Sequence, residues 1–132
     1  MPIETSWLVE SKILLHRVKG KVHHAEILAT DLLIEAYLDQ CDHPVHSIVD
    51  RRASSFVPPS AKFVRESMQT LRHRNRGWVL IVSHPHAILD LVLYTMTRFG
   101  VSIRRFETMR AACDFLQTQD SSLPYLRCLK LE

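Results

Sequence analysis

Two short stretches hold the side chains best suited to chemistry: IVDRR, ending in Asp50, Arg51 and Arg52, and SHPH, from Ser83 to His86. Ser83, His84 and Asp50 together contain the side-chain types of a nucleophilic hydrolase. His84 and His86 with Asp50 would offer donors that suit zinc. Arg51 and Arg52, close to the start of a helix, would suit a carboxylate or phosphate. Each stretch also has a plainer reading. A strained nucleophile elbow and an oxyanion nest need small residues, yet there is no G-x-S-x-G and only three glycines, Gly20, Gly77 and Gly100. The same scarcity excludes a P-loop or a dinucleotide fingerprint. Histidines two apart across a turn need not converge, and no H-x-x-x-H or H-E-x-x-H pattern is present, so a capping or solvated histidine is the simpler reading. Asp50 can pair locally and leave the arginines solvated. These residues therefore imply no catalytic group, no metal and no cofactor. Asp50, Arg51, Arg52, Ser60, His84 and His86 remain candidates for holding a ligand or partner.

Apolar patterning gives the elements that must position them. Ser6–Val9 and Lys12–Val18 read as an N-terminal hairpin. Residues 23–40 carry Ile27, Leu28, Leu32 and Ala36 at helical spacing, with Pro44 just beyond. Val45–Val49 is a short apolar strand. Ser60–Arg74 places Phe63, Val64, Met68 and Leu71 on one side of a helix, with Ser60 as its N-cap. Trp78–Val82 is a continuous apolar run, expected of a central strand covered on both faces. A helix from Pro85 to Phe99, a strand Val101–Phe106 and a helix Thr108–Gln119 capped by Thr108 complete the order β-β-α-β-α-β-α-β-α. This predicts an α/β fold: a mixed sheet of about five strands, an antiparallel hairpin followed by parallel βα units, with about four helices.

At 132 residues the chain is the size of one domain, read here as 1–120, with 121–132 a tail or an edge strand. A hydrophobic fraction of 46%, a charged fraction of 23% and a net charge of +3 are ordinary for a globular chain and argue against a dedicated nucleic-acid binder. The basic run Arg72-His73-Arg74-Asn75-Arg76 is explained by the dipole at a helix C-terminus. Cys41, Cys113 and Cys128 are odd in number and dispersed, which argues against a disulfide framework and a zinc knuckle. No signal peptide is apparent, and the apolar stretch 87–96 contains Asp90 and is too short to span a bilayer, so a cytoplasmic location is expected. The helix AILDLVLYTMTRFG is apolar around most of its circumference. Leu89, Leu93 and Met96 are therefore candidates for an apolar surface that meets a partner or ligand, unless neighbouring helices or a second copy enclose them.

The element order, with Ile48-Val49-Asp50 leading through Ser55-Phe56 into a helix, resembles the STAS domain of bacterial anti-sigma-factor antagonists. It looks closer still to uncharacterised bacterial SpoIIAA-like single-domain proteins, which are also similar to the lipid-binding CRAL-TRIO fold. The resemblance covers about residues 5–119 and implies fold more than function. In the antagonists the turn reads Phe-apolar-Asp-Ser-Ser-Gly, and the first serine accepts phosphate at a helix N-terminus. Asp50 and Phe56 fit that pattern. Pro58 stands where the family has Asp, Pro59 where it has the phosphoacceptor, Ser60 at the second serine and Ala61 at the glycine. Proline has no hydroxyl, so the standard phosphorylation switch is not expected. The resemblance implies a non-enzymatic regulatory or protein-interaction module, partnered by another protein or by a second copy. The alternatives are a carrier or sensor of a small apolar or anionic, lipid-like ligand and, more remotely, a minor hydrolase using His84.

Overall fold

The computed structural model describes residues 2–126. Over that span the chain forms β1 (Ile3–Val9), β2 (Ile13–Gly20), α1 (His24–Asp39), β3 (Val45–Ser54), α2 (Ala61–Ser67), a 3₁₀ turn (Gln69–Arg72), β4 (Arg76–Val82), α3 (Ala87–Arg98), β5 (Ile103–Phe106) and α4 (Met109–Gln119). The strands lie in one sheet in the order β1-β2-β3-β4-β5. β1 and β2 are antiparallel, and every later pair is parallel. This is the predicted SpoIIAA-like mixed sheet.

The layering follows from handedness. Each parallel connection steps one strand in the same direction, and right-handed crossovers then put α1, α2 and α3 on one face. α4 follows the last strand and covers the other. Alternation along the strands divides the side chains accordingly. Ile13, Leu15, Ile48, Leu80 and Val82 pack with Met109, Ala112, Cys113 and Leu116 of α4. Val79, Ile81 and Ile103 pack with Val64 of α2 and Leu89, Val92, Leu93 and Met96 of α3. Trp78, placed half-buried on the α4 side, meets Phe115 edge to face, with ring centroids 4.9 Å apart.

Three helix starts use the side chain expected of an N-cap. Ser60, His86 and Thr108 accept from the backbone N–H of Phe63, Leu89 and Ala111 respectively. The helix expected over Ser60–Arg74 is shorter: α2 ends at Ser67, and Asp31 of α1 accepts the Gln69 N–H at 3.0 Å, the Thr70 N–H at 3.3 Å and the Thr70 hydroxyl at 2.6 Å. Those bonds cap a new 3₁₀ turn instead of continuing the helix. The basic run therefore does not close a helix, and Arg76 is the first residue of β4.

Other expectations shift as well. β3 continues to Ser54, so Asp50, Arg51 and Arg52 lie within the strand rather than beyond it. Leu89, Leu93 and Met96 are buried, which removes them as surface candidates; the exposed apolar residues of α3 are Ile88, Leu91 and Tyr94. Cys113 is buried and disulfide-bonded, a cross-link that the dispersed cysteines did not suggest. In the tail, Lys12 Nζ donates to the Ser122 carbonyl at 2.9 Å, and Leu126 joins the cluster beneath α4. Of the tail or edge strand considered for residues 121–132, 121–126 form no strand, and 127–132 lie outside the described residues. No helix among the described residues is long and apolar enough to cross a membrane.

Candidate functional site

The sequence candidates do not converge. Arg51 and Arg52 are adjacent on a strand and so point to opposite faces of the sheet. On the α4 side, Arg52 Nε and Nη2 donate to the two carboxylate oxygens of Asp50 at 2.9 and 3.0 Å. Burial pushes the Asp50 carboxyl up, but the bonds and charge of Arg52, with Arg17 beyond, outweigh it and hold the group below its ordinary value. On the helix side, Arg51 Nη1 donates to Ser83 Oγ at 3.0 Å and Nη2 to the Phe56 carbonyl. Ser83 Oγ in turn donates to the His84 carbonyl at 2.7 Å. His84 and His86 are exposed, and His86 is the α3 cap. The Ser83–His84–Asp50 hydrolase thus does not assemble: its serine is committed to a local carbonyl and its aspartate to Arg52. No group of three metal-binding side chains occurs among the described residues.

The stretch between β3 and α2 is tied by hydrogen bonds of its own serines. Ser54 Oγ accepts the Phe56 N–H at 3.1 Å and donates to the Gly20 carbonyl at 3.1 Å. Pro58 is buried, and Ser60 Oγ accepts the Phe63 N–H at 3.1 Å.

A different cluster, which the sequence reading did not select, lies on the helix face. It originates in an irregularity of β4. Val45 pairs with Arg76, but Ser47 pairs with Val79, so the single residue His46 of β3 opposes two of β4, Gly77 and Trp78. The extra residue is a β-bulge, and it reverses the alternation ahead of it. Arg76, which would otherwise share the α4 face with Trp78 and Leu80, turns to the helix face, where its Nη1 donates to Ser47 Oγ at 2.9 Å. The Trp78 N–H that the bulge releases from the ladder donates to His46 Nδ1 at 2.9 Å. With Nδ1 accepting, Nε2 carries the proton and donates to Asp120 Oδ2 at 2.9 Å. Asp120 is held down at about 2 by bonds from Ser122 and His46. Gly77 completes the bulge: a Cβ there would stand 2.4 Å from His46 Nδ1 and 3.1 Å from the Val45 carbonyl.

Ser47 lies 3.2 Å from Nε2 of the buried His16, and His16 Nδ1 lies 2.9 Å from Thr5 Oγ1. One assignment satisfies the chain. The Ser47 hydroxyl accepts from Arg76 and donates to His16 Nε2, and the Nδ1–H donates to Thr5. Burial, and then the Arg76 charge, lower the His16 pKa to about 3, so its ring is neutral. Arg76 is itself lowered to about 10 by burial, against which the Asp31 charge acts only in part. Its Nε is buried and has no acceptor among the described residues. His16 and Arg76 both line a cavity of about 150 Å³ between the sheet and α1–α3, whose walls are otherwise largely aliphatic: Ile27, Ile34, Val79, Ile81 and Leu93. Phe56 and Pro58, from the connection after β3, also reach it.

His16 had a local signal, a polar residue inside the apolar run ILLHRV. Arg76 had none, because the bulge that redirects it is a property of strand pairing.

The fold is that of SpoIIAA-like proteins. The chain is similar to the crystal structure of an uncharacterized protein of the DUF3478 family with a SpoIIAA-like fold from Shewanella loihica, with a TM-score of 0.62, 19% identity, and coverage of 86% of this chain and 91% of that one. It is similar also to the anti-sigma factor antagonist SpoIIAA in its unphosphorylated form, with a TM-score of 0.55, 16% identity, and coverage of 88% and 96%. No family model matches the chain. No curated protein matches it either.

Proposed function

We propose that this chain is a non-enzymatic regulatory or protein-interaction module that works without the phosphoserine switch of the antagonists. The observation that carries this reading is the outer half of α3. Its inner residues fill the core, yet Ile88, Leu91 and Tyr94 remain 52%, 65% and 64% exposed, one apolar stripe on one helix face. A stripe of that kind suits a protein partner or a second copy of the chain. The likeness to an anti-sigma factor antagonist supports the same class of role. The fixed Ser60 cap and the prolines ahead of it support the loss of the switch. A cytoplasmic location fits this role.

Leu91→Asp with Tyr94→Asp is expected to leave the thermal transition within a few degrees of wild type and to weaken self-association or partner capture at least tenfold, read by analytical ultracentrifugation and by affinity capture from the source cells. Equal association of wild type and variant would refute the stripe as the contact. Turnover of a generic ester or phosphate substrate, lost on His84→Ala, would refute the non-enzymatic reading.

A second reading, a carrier or sensor of a small apolar or anionic molecule, is favoured by the cavity between the sheet and α1–α3. Its position beside Phe56 and Pro58 would couple occupancy to the connection that carries the switch in the antagonists.

A further inference from the structure

We propose that this cavity binds a monocarboxylate with a short apolar tail, and that the Arg76 guanidinium is the anchor for its carboxylate. The inference rests on the carrier reading and adds to it a ligand class and a residue. Three observations carry it. The walls are mostly aliphatic, which suits a hydrocarbon tail and leaves few partners for water. The volume of about 150 Å³ accommodates roughly six carbon atoms, since a dry cavity of that size takes up a molecule as large as benzene. At the wall stands a buried guanidinium with an unfilled donor.

Arg76 is the cavity-lining cation with a buried nitrogen that has no acceptor among the described residues. Arg51, which also lines the cavity, is already bonded to Ser83 and to the Phe56 carbonyl. Asp31, the nearest carboxylate acting on Arg76, is committed to Gln69 and Thr70 across the 3₁₀ turn. Arg76 makes no salt bridge with it among the described residues, so a buried positive charge is left without a bonded anion. Burying such a charge is unfavourable unless it is paired. A planar carboxylate on the Nε edge of a guanidinium would supply both the missing acceptor and the missing charge. A phosphate dianion fits less well, because the Asp31 carboxylate also lines the cavity and would repel its second charge. His16, held neutral by burial and then by the Arg76 charge, adds no positive charge.

The test uses the whole chain with hexanoate and, as its uncharged counterpart, 1-hexanol, each titrated calorimetrically and followed by amide chemical shifts. The expected result is hexanoate binding with shifts at Val79, Ile81 and Leu93, and hexanol binding about ten- to a hundredfold weaker, the margin of a charge-assisted hydrogen bond. Arg76→Met should abolish that preference while preserving hexanol binding. If Arg76→Met does not fold, Arg76→Gln serves, and the wild-type acid-to-alcohol ratio stands without either variant. Equal binding of acid and alcohol, unchanged in the variant, would overturn the anchor and leave the carrier reading intact. No binding of either probe, with no shifts around the cavity, would overturn both.

Discussion

Lowering the pH from 6.5 towards 3 is expected to reduce the folding equilibrium constant about tenfold for each pH unit through one residue, His16, and His16→Gln is expected to remove that slope. In the folded chain the ring is held neutral, with a pKa lowered from 6.5 to about 3, first by burial and second by the adjacent Arg76 charge. Above pH 6.5 neither state binds the proton, and the contribution of His16 to stability is fully present. Between 6.5 and 3 the unfolded chain binds it and the folded chain does not, so stability falls as pH falls. Arg76 on β4 and Asp31 on α1 are the charged groups nearest this network. Asp50 and Asp120 are both lowered from 3.8, and their losses add only as pH approaches and passes that value. Above it, His43, whose pKa is raised, contributes with the opposite sign in wild type and variant alike, so the difference between the two isolates His16. Urea unfolding at half-unit pH steps should give a curve about one proton steeper for the wild type than for the variant. Parallel curves would mean that His16 is not the group being titrated.

The second large effect is expected at Gly77. Gly77→Ala should cost about 2–6 kcal/mol, combining overpacking with a buried backbone donor left without its acceptor. The new methyl would stand 2.4 Å from His46 Nδ1, so the ring must leave its place. The Trp78 N–H then loses its acceptor, and Asp120 loses one of its donors. The same displacement disturbs the bulge that aims Arg76 at the cavity, so hexanoate binding should weaken as well. Because the ring is the obstacle, Gly77→Ala should cost much less in a His46→Ala background than in the wild type. Additive losses in that double-mutant cycle, measured by urea unfolding, would dissociate Gly77 from His46.

The order of elements was legible in the sequence because each element carries its own periodicity. The apolar run of β4, the Ser60 and Thr108 caps and the stop near Gly100 are all local signals. What could not be read arises from contacts distant in sequence. The helix expected to reach Arg74 ends early because Asp31, from another helix, takes over the N–H groups of Gln69 and Thr70. Arg76 belonged by composition to an exposed basic run, and a bulge in its pairing with β3 carries it inside. Asp50, Arg51 and Arg52 were read as the end of a strand. The strand continues through them, and alternation sends the two arginines to opposite faces. The helix Ala87–Arg98 reads as apolar around most of its circumference, which leaves open whether Leu89, Leu93 and Met96 are enclosed or meet a partner; the fold encloses them and leaves Ile88, Leu91 and Tyr94 outside.

The claim underlying the whole account is that the turn between β3 and α2 is a fixed cap and not a site of phosphate transfer. Intact-mass and fragmentation mass spectrometry of the chain isolated from its own cells tests this most directly. The account predicts unmodified Ser54, Ser55 and Ser60. A phosphoryl group on any of the three, at a level that changes partner binding, would contradict it.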